Sequence, residues 1–297
     1  MAELDAQIES KKPPSTVASL IAGSIGGATQ VIVGQPLDTI KTRAQTAPPG
    51  RFNGTIDIAS QTIRNEGLLA LYKGMASPLL GVAAVNSLLF GSYAVAKRIV
   101  SPFPDLTSYQ TIAAGAMAGG FTAIAASPVE MFKIRMQGQY GQPGDKKLSK
   151  VASDMWKEWG FRKGIMRGFW ITVLREIPAY AGFYAGYEFT KQYFRKKLNT
   201  NDLPIWSLLA SGGMGGLAYW TACYPLDVVK SRVQLADKPP SGLLYIPNTF
   251  ASIVRQEGLK SLFRGLTPTY LRAVPAAAST FVAFEITIDF IHKHTSL

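Results

Sequence analysis

Three segments of this chain copy one another. They read Pro36-Leu37-Asp38-Thr39-Ile40-Lys41, Pro128-Val129-Glu130-Met131-Phe132-Lys133 and Pro225-Leu226-Asp227-Val228-Val229-Lys230, with the prolines 92 and 97 residues apart. Each follows P-x-[DE]-x-x-K. An arginine stands two residues after each lysine (Arg43, Arg135, Arg232), and a glutamine nine after each proline (Gln45, Gln137, Gln234). Glycines recur thirteen and nine residues before each proline: Gly23 and Gly27, Gly115 and Gly119, Gly212 and Gly216. Downstream come Tyr72-Lys73-Gly74, Met166-Arg167-Gly168 and Phe263-Arg264-Gly265, preceded by Glu66-Gly67, Trp159-Gly160 and Glu257-Gly258. Five features in one order, three times over, make the chain a threefold repeat, which fixes its architecture before any local reading does. The repeats are expected at 1–104, 105–203 and 204–297, together one integral unit.

Each repeat holds two long apolar stretches. The first set runs over 16–46, 108–138 and 205–235, the second over 76–99, 169–197 and 267–292. Roughly 30 helical residues extend about 45 Å, enough to cross a bilayer at a tilt. These stretches carry Ser, Thr, Gly and Gln, as expected where one face meets lipid and the other a wet cavity. Between them, amphipathic stretches such as 56–65 and 246–256 read as helices lying along a membrane surface. The expected fold is therefore an all-α membrane protein of six transmembrane helices around a central cavity, with three short surface helices. The G-x-x-x-G pairs read as close helix packing, and the motif prolines as kinks in the odd helices.

Composition agrees. Hydrophobic residues make up 47% of the 297, charged residues only 17%, and the net charge is +12. That apolar content excludes a disordered chain and fits poorly with a soluble nucleic-acid binder. The single Cys223 excludes an internal disulfide and reads as packing. The only histidines, His292 and His294, lie in what reads as a frayed polar end. No nucleophile–base or metal constellation is present, so no enzyme and no cofactor is expected. The first fifteen residues contain Glu3, Asp5 and Glu9 and have neither a secretory nor a transit-peptide pattern.

Asp38 and Lys41, three residues apart, share a helix face. Charge of this kind cannot rest against lipid and must find partners or water. Three such pairs in threefold arrangement meet at one end of the cavity, where the acid of one repeat pairs with the base of the next: Asp38–Lys133, Glu130–Lys230 and Asp227–Lys41. The even helices carry an imperfect counterpart at the other end. Tyr187-Glu188 with Lys191 is complete, Tyr93 with Lys97 lacks the acid, and Phe284-Glu285 lacks the base. Only Glu285–Lys97 survives the cyclic rule, so this second gate is expected to be the weaker and to rest open.

These residues resemble the mitochondrial carrier family, from about Val17 to Ile291. The resemblance implies alternating-access transport across the inner mitochondrial membrane, with both termini cytosolic. It makes the P-x-[DE]-x-x-K residues a matrix gate braced by Gln45, Gln137 and Gln234, and Lys97, Glu188, Lys191 and Glu285 a cytoplasmic gate. It also implies cardiolipin sites at Gly67, Gly74, Gly160, Gly168, Gly258 and Gly265, where helix N-terminal amides hold a lipid phosphate. Trp159, in place of the acid before Gly160, departs from the pattern.

Substrate contacts are expected mid-membrane on the even helices. Seven residues past the glycine of each base-Gly pair stand Gly81, Arg175 and Arg272, with Glu176 beside Arg175. Adjacent helical residues point about 100° apart, so Arg175 and Glu176 are expected to serve a ligand rather than each other. Two guanidiniums suit a carboxylate and one carboxylate suits an ammonium, which favours a zwitterion over a polyanion. Arg-acid on the fourth helix with Arg on the sixth resembles the carnitine/acylcarnitine and amino-acid branch. Asn86, Trp220, Tyr180 and Tyr184 are secondary candidates, Trp220 by stacking on a cationic head. Val85 and Gln35 stand where ornithine-type and carnitine carriers place an acid and a histidine. The expected protein is a monomeric antiporter in membrane lipid. A dissipative proton or anion leak and a non-transporting adaptor are the alternatives.

Overall fold

The computed structural model describes residues 16–48, 50–101, 107–140, 145–200, 202–240, 242 and 244–294. The acidic N-terminal residues Glu3, Asp5 and Glu9 lie outside them. Six long helices are present: α1 (Thr16–Thr46), α3 (Ala76–Val100), α4 (Ser108–Gln137), α6 (Phe169–Leu198), α7 (Ile205–Leu235) and α9 (Leu266–His294). Each repeat also carries a short amphipathic helix: α2 (Thr55–Glu66), α5 (Leu148–Gly160) and α8 (Tyr245–Glu257). The described residues contain no strand. The fold is the all-α arrangement expected from the repeats.

Local chemistry sets the helix ends. Thr107 and Gln110 form a reciprocal capping box at the start of α4. Asn199, in the left-handed region, closes α6. Helices α1, α4 and α7 continue through Pro36, Pro128 and Pro225 without interruption. Helix α9 also continues through both histidines, and the His294 ring stacks on Phe290 at 4.4 Å, so this end is helical rather than frayed.

The tightest seams join repeats. Helix α3 packs on α4, α6 on α7, and α9 on α1, which closes the six helices into a ring. The polarity is reversed relative to a water-soluble protein. Gln35, Arg43, Gln45, Gln137, Lys230 and Gln234 are buried inside, whereas Leu80, Trp170, Phe189, Leu209, Val274 and Phe281 face outward. An apolar belt around a polar core suits a lipid surround. Among the described residues, α1 and the segment Leu259–His294 are apolar enough to cross a membrane on composition alone.

The small-residue pairs depart from expectation. At Gly119 an added methyl would lie 2.7 Å from the Tyr180 ring, and at Gly115 it would lie 3.1 Å from Tyr184. At Gly23, Gly212 and Gly216, however, it would meet nothing within 4 Å. The close approach of α6 to α7 is made instead by Gly182, Gly186 and Gly215; a methyl added at Gly182 would lie 2.6 Å from the Ala218 carbonyl oxygen. The G-x-x-x-G spacing therefore marks tight packing in the second repeat, while Gly23, Gly212 and Gly216 face open space.

The glycines flanking the short turns obey a stricter rule. Gly67, Gly74, Gly160, Gly168, Gly258 and Gly265 all have positive φ, between 68° and 87°. Three of them also lack room: a methyl would lie 2.8 Å from the Lys133 carbonyl oxygen at Gly74, 2.9 Å from Gln234 at Gly168, and 3.0 Å from the Lys41 carbonyl oxygen at Gly265. Gly67, Gly160 and Gly258 have open space. Gly258→Ala should therefore cost about 1–3 kcal/mol from backbone strain alone. Gly265→Ala should cost more, because it adds a clash with the α1 backbone. Thermal unfolding of the two purified variants checks the order.

Candidate functional site

The motif residues converge at one end of the ring. Lys133 Nζ lies 2.5 Å from Asp38 Oδ2, and Lys41 Nζ lies 2.6 Å from Asp227 Oδ2. Lys230 pairs with Glu130. Every pair crosses from one repeat to the next. On each helix the acid and base share the inward face, and each is paired with a different neighbouring repeat.

A second layer lies beneath this latch. Arg43 Nε donates to the Gln137 carbonyl at 3.4 Å, Arg135 Nε to the Gln234 carbonyl at 2.9 Å, and Arg232 Nε to the Gln45 carbonyl. The arginines were visible as a repeat, but their acceptors were not, because a backbone oxygen leaves no mark in the sequence. Of the three glutamine side chains, one touches the latch. Gln45 Nε2 donates to Asp227 Oδ2 at 3.0 Å and accepts from Ser231. Gln137 bonds Thr42 and Thr39 instead, and Gln234 donates to the Arg167 carbonyl at 3.4 Å.

A cavity of about 260 Å³ lies against the latch. It is lined by the six latch residues together with Arg175, Tyr219, Trp220 and Arg272. Arg272 Nε stands 3.0 Å from Asp38 Oδ1 without hydrogen-bond alignment. Arg175 lies 3.9 Å from both Glu130 and Asp227. All three latch acids are thus shared between a lysine of the next repeat and one of two arginines from the even helices.

Arg175 and Glu176 do satisfy each other, contrary to expectation. The Arg175 guanidinium bonds the Glu176 carboxylate directly. Tyr219 completes the group: its hydroxyl accepts from Arg175 Nη1 at 3.3 Å and donates to Glu176 Oε2 at 3.3 Å. The long, jointed arginine side chain spans the angular gap between adjacent positions. Tyr219 was missed in the sequence, yet it stood in register. It lies six residues before Pro225, where the other repeats have Gln30 and Thr122, all polar positions in apolar stretches.

The remaining candidates divide. Trp220 carries the Lys41 ammonium 4.7 Å from its ring centre and contacts Tyr219 edge-on. Tyr180 also meets Tyr219 edge-on, at 6.0 Å. Gly81 is buried against α4, where a methyl would lie only 2.9 Å from Val129 Cγ1 and closer still to Cγ2. It therefore serves helix contact and does not line the cavity. The side chain of Asn86 lies outside the described residues. Cys223 is buried in α7.

At the opposite end, Lys191 pairs with Glu188 of its own helix at 3.7 Å and sits over Tyr187. Lys97 sits 6.0 Å from the Tyr93 ring centre. Among the described residues no ion pair joins Lys97 to Glu285. The expected cross-repeat bridge is therefore not made in this conformation, in which the first gate is closed.

Removing one partner of a buried ion pair typically costs about 3–5 kcal/mol, because the other charge stays buried and unpaired. Lys230→Ala should lower the unfolding temperature more than Lys133→Ala, since Asp38 retains Arg272 at 3.0 Å while Glu130 retains Arg175 only at 3.9 Å. The double swap Asp38→Lys with Lys133→Asp should recover part of the loss caused by Asp38→Lys alone. Unfolding curves of the purified proteins in detergent measure both effects.

Known proteins bear on this geometry. A sequence model described as mitochondrial carrier protein matches residues 12–103, 104–198 and 201–295. The chain is 40% identical to Protein dif-1 of Caenorhabditis elegans over 286 residues, covering 91% of this chain and 90% of that one. It is 36% identical to mitochondrial magnesium exporter 1 of Drosophila melanogaster, covering 97% and 99%. It is also 36% identical to the mitochondrial carnitine/acylcarnitine carrier protein of Rattus norvegicus, covering 96% and 97%. With three matched repeats and a closed three-pair latch between them, the chain belongs to the mitochondrial carrier family of transporters.

Proposed function

We propose that this carrier is an alternating-access antiporter of the inner mitochondrial membrane. Its substrate is a zwitterionic, amino-acid-like metabolite, namely carnitine and acylcarnitines or a basic or neutral amino acid. The observation that carries this reading is the placement of Arg175 and Arg272 on the wall of one cavity, directly above the latch. The charged groups gathered there are Lys41, Lys133, Lys230, Arg175 and Arg272 against Asp38, Glu130, Asp227 and Glu176. Five cations face four acids, and the excess positive charge favours the carboxylate end of a substrate. Arg272 supplies the anchor, because its Nε lacks an aligned acceptor. Trp220 and Tyr219 offer aromatic faces to the cationic end.

The named relatives support two chemistries. A divalent cation requires free carboxylates, and each of the four acids here is already held by a lysine or arginine. The site therefore favours the organic zwitterion named in the carnitine/acylcarnitine relatives. The latched end is taken as the matrix side, with Asp38, Lys41, Glu130, Lys133, Asp227 and Lys230 as the matrix gate. Lys97, Glu188, Lys191 and Glu285 stand at the cytoplasmic gate. Cardiolipin fits the cavity of about 840 Å³ lined by Arg162, Lys163, Phe169, Trp170 and Pro239, where cations meet apolar walls beside Gly168. The working unit is one chain, which closes the whole ring.

The test is exchange in liposomes with a panel of internal and external solutes: carnitine, acylcarnitines, Arg, Lys, ornithine, Glu and Gly. The expected outcome is exchange that requires a zwitterion on both sides. Arg175→Ala, Glu176→Ala and Arg272→Ala should each reduce it at least a hundredfold, as loss of roughly 3 kcal/mol of charge-assisted bonding dictates. Uptake without internal solute would favour a leak, and normal exchange by all three variants would remove these residues from the site.

A further inference from the structure

The three repeats neutralise one recurring pair of cations in two different ways. In the first, Glu66 is bound by Arg43 at 2.5 Å and by Lys73 at 2.7 Å. In the third, Glu257 is bound by Arg232 at 3.0 Å and by Arg264 at 2.5 Å. Each of these carboxylates holds the arginine that follows the motif lysine and the base that precedes the turn glycine. The second repeat has the same two cations, Arg135 and Arg167, but Trp159 stands where the acid belongs.

The two guanidiniums converge without that acid. Arg135 Nη2 and Arg167 Nη1 both donate to the Ala236 carbonyl oxygen, at 2.5 and 2.6 Å. One neutral acceptor thus serves two cations. Among the described residues no carboxylate lies within 4.0 Å of either. Arg167 is 2% exposed, and its Nη2 has no hydrogen-bond partner. Its guanidinium carbon sits 5.8 Å from the Trp159 ring centre. A ring face attracts the charge but cannot accept the in-plane N–H groups, which need an oxygen. Burial, with Arg135 close by, pushes the Arg167 guanidinium down to about 10, against the opposing pull of Glu158 and Asp237. Beside Arg135 lies a cavity of about 720 Å³ whose wall carries Arg135, Lys146 and Arg232 together with the carboxylates Asp145, Asp154, Glu158 and Asp237; Arg167 lies outside that lining and reaches the neighbouring cavity beside Gly168.

We infer that Arg135 and Arg167 form a binding site for an oxyanion, a carboxylate or phosphate group that takes the place occupied by Glu66 and Glu257 in the other repeats. Such an anion ties the second repeat to Ala236 of the third and completes the seam at the latched end. The group comes from solution or from a lipid headgroup, and the chemistry at the two arginines is the same.

The test is thermal unfolding of the full chain in detergent, with inorganic phosphate against chloride at equal ionic strength, and separately with cardiolipin added. Phosphate or cardiolipin should raise the unfolding temperature of the unsubstituted protein by about 3 °C. Trp159→Glu supplies the missing carboxylate and should lose the phosphate shift, as should Arg167→Gln, and both should reduce the cardiolipin shift, since lipid still binds in the cavity beside Gly168. Arg135→Gln provides the same reading should either of those fail to fold. A phosphate shift that persists in cardiolipin-saturated micelles identifies a soluble anion, whereas a cardiolipin shift that leaves phosphate nothing to add identifies a headgroup. Equal shifts in all variants, or none in the unsubstituted protein with either ligand, would overturn the site.

Discussion

A charged side chain inside an apolar slab has no water to lean on, so it needs a partner supplied by the protein. Everything at the closed end follows from that requirement. Among the described residues no motif acid at this end pairs with the lysine of its own helix; each acid and each lysine is held by a different neighbouring copy. The partner comes from the next copy around the ring, and three copies are the number at which the cycle of Asp38–Lys133, Glu130–Lys230 and Asp227–Lys41 closes. The strongest seams in the fold are correspondingly those between repeats, α3 with α4, α6 with α7 and α9 with α1.

The same requirement links the latch to the cavity above it. Arg272 finds its counter-charge on Asp38, and Arg175, held directly by Glu176, also lies 3.9 Å from Glu130 and Asp227. An anion that engages either arginine changes what Asp38, Glu130 and Asp227 see, without touching a lysine. A binding group and a closing group that share acids in this way are electrostatically coupled, and the coupling is strong because the groups are desolvated.

Much of this was legible in the sequence because it rests on periodicity. The helix limits near 16–46 and 205–235 match Thr16–Thr46 and Ile205–Leu235, and the pairing rule needed only the three motifs. What the sequence hid depends on side-chain reach and on close approach. Glu176 is held by its own neighbour Arg175 through a flexible stem, a contact that helical angles alone argue against. Gly81 matched a substrate-contact position by counting, but its small size is used by Val129. Gly212 and Gly216 carry the packing spacing and face open space, while Gly215 between them makes the contact with α6. Spacing identifies a helix face; it does not say what stands opposite.

Departures from symmetry carry a different kind of information. A threefold repeat states three times what each position must do, so one discordant copy isolates a local requirement. At Trp159 the chain gives up a carboxylate that two other repeats use to hold paired cations, yet it keeps both cations. Were the pair purely structural, losing the acid would leave two neighbouring guanidiniums, the Arg167 one buried, within hydrogen-bond reach of backbone carbonyls alone, and a buried cation without a bonded counter-charge is costly. Their persistence, converging on one carbonyl with a donor unsatisfied, is most simply explained by a negative group that the chain itself does not encode.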